Sequence, residues 1–324
     1  MRLDPFLVML LASAGVGALL PATGDSLEAV KIGSMVAIGA LFFLHGARLS
    51  TAETVRNLRL WRLQLAILLT TFAVFPLVGL AVRQLPERVL PAELGAGVLL
   101  LCLVPSTIQG CIVYTRIAHG NSAAAVVSAS LSNLVGVFLV PLYVALLMGA
   151  DTRVDGGSVL RIVLQLLAPF LAGQLLRPVV GRWVERHDRW LRPFDRSTIL
   201  LVVYVAFSEG TEAGIWTAVP PGAFAIVAGV CAALLALAFG WTALLGRWLR
   251  FPRPDRMALL FCGSTKSLAS GLPMVAVLFP GPSAALVVLP LMIYHQLQLF
   301  TSAVLAERLA RRGPEDPAAL SGGS

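Results

Sequence analysis

Lys266 makes the heaviest demand on its surroundings, because no other Asp, Glu, Lys or Arg occurs from 257 to 306. Ser264, Thr265 and Ser267 flank it. A second polar cluster, Ser106, Thr107 and Gln109, lies between Pro105 and Gly110 in an equally apolar stretch. Ser128, Ser132 and Asn133 give the segment that follows a polar side, and Tyr294 and His295 with Gln296 form a polar belt within the last apolar segment. Hydroxyls, amides and a single amine among apolar residues can bind a solute or an ion. An amine beside serines also admits a Ser/Lys hydrolase, but neighbouring helix positions point about 100° apart, which spoils the contact between base and nucleophile. Neither HExxH nor GxSxG is present. The hydrolase is the remote reading, and the chain is read as not an enzyme.

These groups stand in a chain of 324 residues that is 57% apolar and only 13% charged, against roughly a quarter charged in a soluble domain. Uncharged stretches run at 5–24, 32–47, 63–82, 94–115, 117–150, 213–246 and 267–306. Each approaches or exceeds the ~20 residues of one bilayer crossing. The first ends in Leu20-Pro21 without a small-residue cleavage site and is kept as a membrane helix rather than a signal peptide. Cys102, Cys111, Cys231 and Cys262 all lie in apolar segments without metal-type pairing, so they read as small buried residues. No cofactor is expected, other than sodium or a proton as a coupling ion.

The pattern predicts ten crossings, at 6–20, 29–46, 63–82, 94–118 (broken), 122–148, 160–177, 197–214, 223–246, 257–279 (broken) and 283–306. Asp255, Ser283 and Ser50 with Glu53 supply start signals. Val55, Leu58 and Trp61 against Arg56, Arg59 and Arg62 read as an amphipathic stretch lying on the membrane surface. Trp183, Trp190 and Phe194 among the arginines from Arg177 to Arg196 read as a second surface anchor in a central loop. Ten crossings place 19 of the 25 Lys and Arg residues on one side, which puts both termini in the cytoplasm of a bacterial inner membrane. The net charge of +8 is thereby a topology signal, and nucleic acid is not an expected partner. The expected partners are the bilayer and a small-molecule solute, with the chain a monomer or a homodimer.

Five crossings per half require opposite orientations if the halves share a fold. Residues 1–150 and 151–306 are read as two inverted repeats and 307–324 as a disordered cytoplasmic tail. Cys102, Ser106-Thr107 and Gly120-Asn121-Ser122-Ala123-Ala124 in one half match Cys262, Ser264-Thr265 and Gly281-Pro282-Ser283-Ala284-Ala285 in the other. Asn133 then becomes the counterpart of Tyr294. In both halves the fourth helix is interrupted, at Pro105 to Gly110 and at Gly263 to Ser267 with Gly271-Leu272-Pro273 beyond. Unwound backbone survives at membrane depth only when protein or a wet cavity covers it, so paired breaks point to a substrate site. The plain alternative is two proline kinks, at Pro105 and Pro273.

Several segments carry a resemblance: Phe42-Phe43-Leu44-His45-Gly46-Ala47-Arg48-Leu49, Pro105 to Ala125, Phe261 to Met274 and Pro290-Leu291-Met292-Ile293-Tyr294-His295. In these the chain resembles the bile acid:sodium symporter-like superfamily, in the divergent branch that includes a vertebrate orphan carrier. The resemblance implies an all-α membrane protein of ten helices with a core and a panel domain. Its broken helices 4 and 9 would cross near the midplane, with alternating access by an elevator-like or rocking motion. Sodium-coupled members ligate the ion with an acidic residue and a glutamine, whose positions fall here at about Ser264 and Leu268. Without a carboxylate in either break, sodium coupling is doubtful. The Lys266 ammonium is expected where relatives hold sodium, gripped by carbonyls at the end of the first half of helix 9; the alternative is a lysine that snorkels to the interface. His295 is either a packing residue or a proton carrier. The resulting expectation is a secondary transporter of a small organic anion with Ser106, Thr107, Gln109, Ser128, Ser132, Asn133, Ser264, Thr265, Lys266, Ser267, Tyr294 and His295 at its site. The alternative is a non-transporting regulator of ion, for example calcium, homeostasis.

Overall fold

The computed structural model describes residues 5–48, 60–87, 89–148, 156–215, 220–279 and 281–311. Twelve principal helices account for most of them: α1 (Pro5–Leu19), α2 (Gly24–Arg48), α3 (Trp61–Arg83), α4 (Ala92–Leu103), α5 (Ile108–Ile117), α6 (Ser122–Met148), α7 (Gly156–Arg186), α8 (Asp188–Glu212), α9 (Pro221–Trp248), α10 (Arg253–Ser264), α11 (Leu268–Leu278) and α12 (Ala284–Arg311). There is no strand among the described residues. Among the described residues five helices, α2, α3, α6, α9 and α12, are long and apolar enough to cross a membrane, or six if the bent pair α4–α5 counts as one span.

Three stretches depart from their expected form. The basic, tryptophan-rich segment from Arg177 to Arg196 is helical rather than a loop: α7 runs on to Arg186 and α8 begins at Asp188, with His187 alone between them. Pro178 and Pro193 sit inside these helices without ending them. The α10 helix begins at Arg253, so Asp255 lies in its first turn rather than capping it, and its Oδ1 accepts a hydrogen bond from Asn121 Nδ2 at 2.8 Å. The last helix continues to Arg311, five residues past its expected end. The expected surface stretch around Val55 and Leu58, the start signal at Ser50 and Glu53, and the tail from 312 onward lie outside the described residues.

The helices pack in two groups. In one, α2 lies along α7 and α1 along α8. Glycines set the α2–α7 distance. A Cβ on Gly46 would stand 2.1 Å from Phe170 O, and one on Gly173 would stand 2.0 Å from Phe43 O. Each glycine thus takes the opposite backbone into the space a side chain would fill, as small residues do where membrane helices touch. In the other group α4 is central, buried from Leu94 to Leu103 apart from a half-exposed Ala96, with α3 and α12 against it and α9 against α10. The groups meet where α8 touches α11 and α12 and where α7 touches α6 and α11.

Polar ties tell which loops share an end of the molecule. Asn121 N donates to Pro254 O at 2.9 Å, and Arg253 donates to Leu309 O at 2.7 Å, which brings the loop after α5, the start of α10 and the end of α12 together. Arg48 pairs with Asp195 and Asp188, joining the end of α2 to the start of α8. Elsewhere Arg83 donates to Leu147 O at 2.7 Å, so the ends of α3 and α6 are neighbours, and Lys31 pairs with Glu209 at 2.9 Å across α2 and α8.

Candidate functional site at two crossing breaks

The first break has a local cause. A residue before proline is pushed out of the helical region, and Val104, ahead of Pro105, is extended at ψ 150°. The helix restarts at Ile108 after a bend of 60°, with the Thr107 hydroxyl accepting from Gly110 N. The second break has no proline. Thr265 and Ser267 are extended, and α11 restarts with the Ser267 hydroxyl accepting from Ser270 N, the same cap as in the first break. Each cap stabilises its helix start by ~1 kcal/mol. Pro273 lies within α11 and causes neither break, so two proline kinks do not describe the pair.

The two breaks touch. Ser267 N donates to Pro105 O at 2.8 Å, and Ser106 Oγ donates to Cys262 O at 2.7 Å with Thr265 Oγ1 3.3 Å away. Backbone groups released by unwinding are therefore bonded across the crossing, as burial demands. Neighbouring helices hold the rest. Asn133 on α6 donates to Ser106 O at 2.8 Å and accepts from Ser270 Oγ at 2.8 Å, while Ser132 accepts from Ser106 N. Tyr294 on α12 donates to Ser264 O at 2.7 Å. Asn133 thus bonds the carbonyl at the middle of the first break, whereas Tyr294 bonds the carbonyl of the last residue of α10, at the edge of the second.

Lys266 is wholly buried and does not snorkel. Its Nζ donates to Cys102 O and Val104 O at 3.0 Å each and to Thr71 O at 3.4 Å, and lies 3.9 Å from the centroid of the Phe75 ring. The carbonyls come from the end of α4 and from α3, not from the first half of helix 9 as expected, because the extended break carries the side chain across to the opposite helix. Gln298 holds the backbone of Lys266 on both sides: Oε1 accepts from Lys266 N at 2.7 Å and Nε2 donates to Lys266 O at 2.8 Å. His295 Nδ1 stands 2.9 Å from Gln298 Nε2, so His295 supports the clamp rather than the crossing itself.

Not every expected residue joins. Ser128 spends its hydroxyl on Ala124 O of its own helix, and Gln109 is exposed beside Ile108. Gln298, Ser270, Thr71 and Phe75 were missed from sequence. Gln298 could have been found, since it lies one turn after Tyr294 on the same face; a backbone carbonyl such as that of Thr71 leaves no mark in composition. A Ser/Lys pair is not assembled. The Lys266 ammonium faces carbonyls, Ser264 Oγ lies 3.0 Å from Thr242 Oγ1, and Ser267 caps α11. Among the described residues no group of three or more His, Cys, Asp or Glu is placed to hold a metal.

Residues 4–311 match the model of the SBF-like CPA transporter family. The chain belongs to that family. It is 44% identical to an uncharacterized protein of Pseudomonas aeruginosa, PA2026, over 98% of this chain and 96% of the relative. It is 42% identical to the Escherichia coli protein YfeH, provisionally named a symporter, over 96% and 94%. Mouse sodium/bile acid cotransporter 7 is 25% identical over 94% and 92%. This member of a transporter family is a multi-pass membrane protein and not an enzyme, and the family is the one its segments resembled.

Proposed function

We propose that the chain is a secondary transporter that moves a small organic anion by alternating access, through a site at the crossing of the two broken helices. The observation that carries the reading is the bond from Ser267 N to Pro105 O. It ties two unwound segments, one from each half, at the depth where a bilayer would otherwise forbid open backbone. The N-termini of α5 and α11 bring partial positive charge to that point, and Lys266 offsets the partial negative charge of the α4 carbonyls it bonds, so the balance there favours an anion. Ile108 and Gln109 on α5 and Ala269 on α11 are exposed, so the first turn of each helix reaches the protein surface.

The rest of the reading follows from topology. Counting α4–α5 and α10–α11 as one crossing each gives ten, in two inverted sets of five, with residues 1–150 and 151–306 as the halves. The end contacts support this, since each pairs loops that ten crossings assign to the same side. The positive-inside count then places both termini in the cytoplasm of a bacterial inner membrane. The group α1, α2, α7 and α8 serves as the panel against which the core carrying the crossing moves.

Sodium and bile acid appear in the name of the mouse relative. Neither break contains a carboxylate, so we expect transport without a sodium requirement. Uptake of labelled organic anions into proteoliposomes, with sodium absent and with a pH gradient set in either direction, tests the proposal. Saturable flux that persists without sodium and is abolished by Lys266→Met supports it. Absence of flux for every anion offered under all gradients would leave a regulator of ion homeostasis as the better description.

A further inference from the structure

Among the described residues the Lys266 ammonium has no counter-charge: no Asp or Glu there contacts it, and its partners are three neutral carbonyls and a ring. Those carbonyls are available for reasons that can be traced. Cys102 and Val104 lie at the C-terminal end of α4, where Pro105 and the break remove the next turn's donors. Thr71 lies in a π-helical turn, Thr70–Val74, that sends Phe75 N to Thr70 O. The donor next in that register is Pro76, which has no N–H, so Thr71 O is left over. The next carbonyl, Phe72 O, accepts from Tyr143 OH at 2.6 Å. Three oxygens from two elements therefore converge on one point that the fold itself has stripped of donors, with the face of Phe75 closing it.

We infer that this cage is a monovalent-cation site whose occupant is tethered to the chain. Carbonyl dipoles without a carboxylate suit a singly charged, weakly hydrated ion, as in carbonyl-lined filters for potassium, and do not suit a divalent one. The aromatic face adds attraction for ammonium or alkali cations alike. With Lys266 in place the site is permanently filled, which makes the protein indifferent to alkali cations at this point. With the tether cut, the same oxygens take a potassium or small alkylammonium ion from solution.

This inference stands on the cage and does not require transport, so the test uses purified protein in detergent. The melting temperature of Lys266→Ala is measured in choline chloride against potassium chloride and ethylammonium chloride at equal ionic strength. The expected result is an upward shift of roughly 5 °C with potassium or ethylammonium at concentrations well above the dissociation constant, absent from the wild type. Lys266→Met, which fills the stem volume without charge, gains no such response, and adding Phe75→Leu to Lys266→Ala reduces it. If Lys266→Ala is recovered only as aggregate in choline, the same expectation reads on yield: monodisperse protein returns when potassium or ethylammonium is present throughout extraction. A Lys266→Ala protein that responds no more than the wild type, a response shared equally by Lys266→Met, or aggregation regardless of the cation overturns the inference. Retained cation response without flux in proteoliposomes would remove the transport reading alone.

Discussion

At the scale of the residue, the crossing depends on a few side chains that replace hydrogen bonds the unwound backbone has lost. Gln298 is the most exposed to test because it satisfies both the N–H and the C=O of Lys266. Gln298→Leu keeps the apolar character of α12 but leaves two buried backbone groups bare, each at ~1–3 kcal/mol. We expect lowered thermal stability together with loss of flux, read by melting in detergent and by uptake in proteoliposomes. Tyr294→Phe removes one bond to Ser264 O and keeps the ring, leaving one bare group instead of two, so its expected cost is about half as large, ~1–3 kcal/mol. Equal destabilisation by the two changes would contradict the clamp. The polar residues themselves were legible from sequence, because a lysine, an asparagine or a tyrosine at membrane depth needs a partner. The partner of Lys266 was not. Its contacts are carbonyls freed by a π turn and a helix end, and these depend on backbone register, which side-chain identity does not encode directly.

At the scale of the element, the two breaks look alike and arise differently. Pro105 ends α4 through its own sterics, so the first break was readable from one residue and its predecessor. The second is imposed by tertiary contacts: Tyr294 on Ser264 O, Gln298 on Lys266 and Ser106 on Cys262 O hold an extended segment that has no proline. The central segment was read as a loop for a related reason. Arginines and tryptophans at a helical period between 177 and 196 suit a loop lying on a surface equally well, and only the structure assigns them to α7 and α8, with His187 alone between the two helices. The α2–α7 contact gives a sharper expectation. Gly173→Ala puts a methyl 2.0 Å from Phe43 O, and no rotamer relieves it, so the helices must part. We expect a loss on the order of 1–3 kcal/mol, the range of overpacking, visible as a lower melting temperature. Gly33→Ala on the open face of the same α2 meets nothing within 4 Å and is the neutral control.

At the scale of the whole molecule, the proposal assigns sides to loops, and labelling can test it directly. A cysteine at Leu85, between α3 and α4, is expected to react with a membrane-impermeant maleimide added outside intact cells, and one at Arg250, between α9 and α10, only after permeabilisation. Both positions are exposed, and the four native cysteines are buried, which keeps background low. Reaction of both from the same side would falsify the ten-crossing topology. By itself the sequence determined that this chain is a helical membrane protein of transporter type, because charge distribution and apolar length answer to the bilayer, a solvent whose rules act on each segment separately. It also located the two breaks and most of the polar residues around them. Only the tertiary structure decided what those breaks do: which carbonyls receive Lys266, which glutamine fixes its backbone, and that the first break bonds directly to the second. Those outcomes depend on how helices distant in the chain are placed against one another, and hydrogen bonds 2.7–3.0 Å long are won or lost on shifts that no local pattern records.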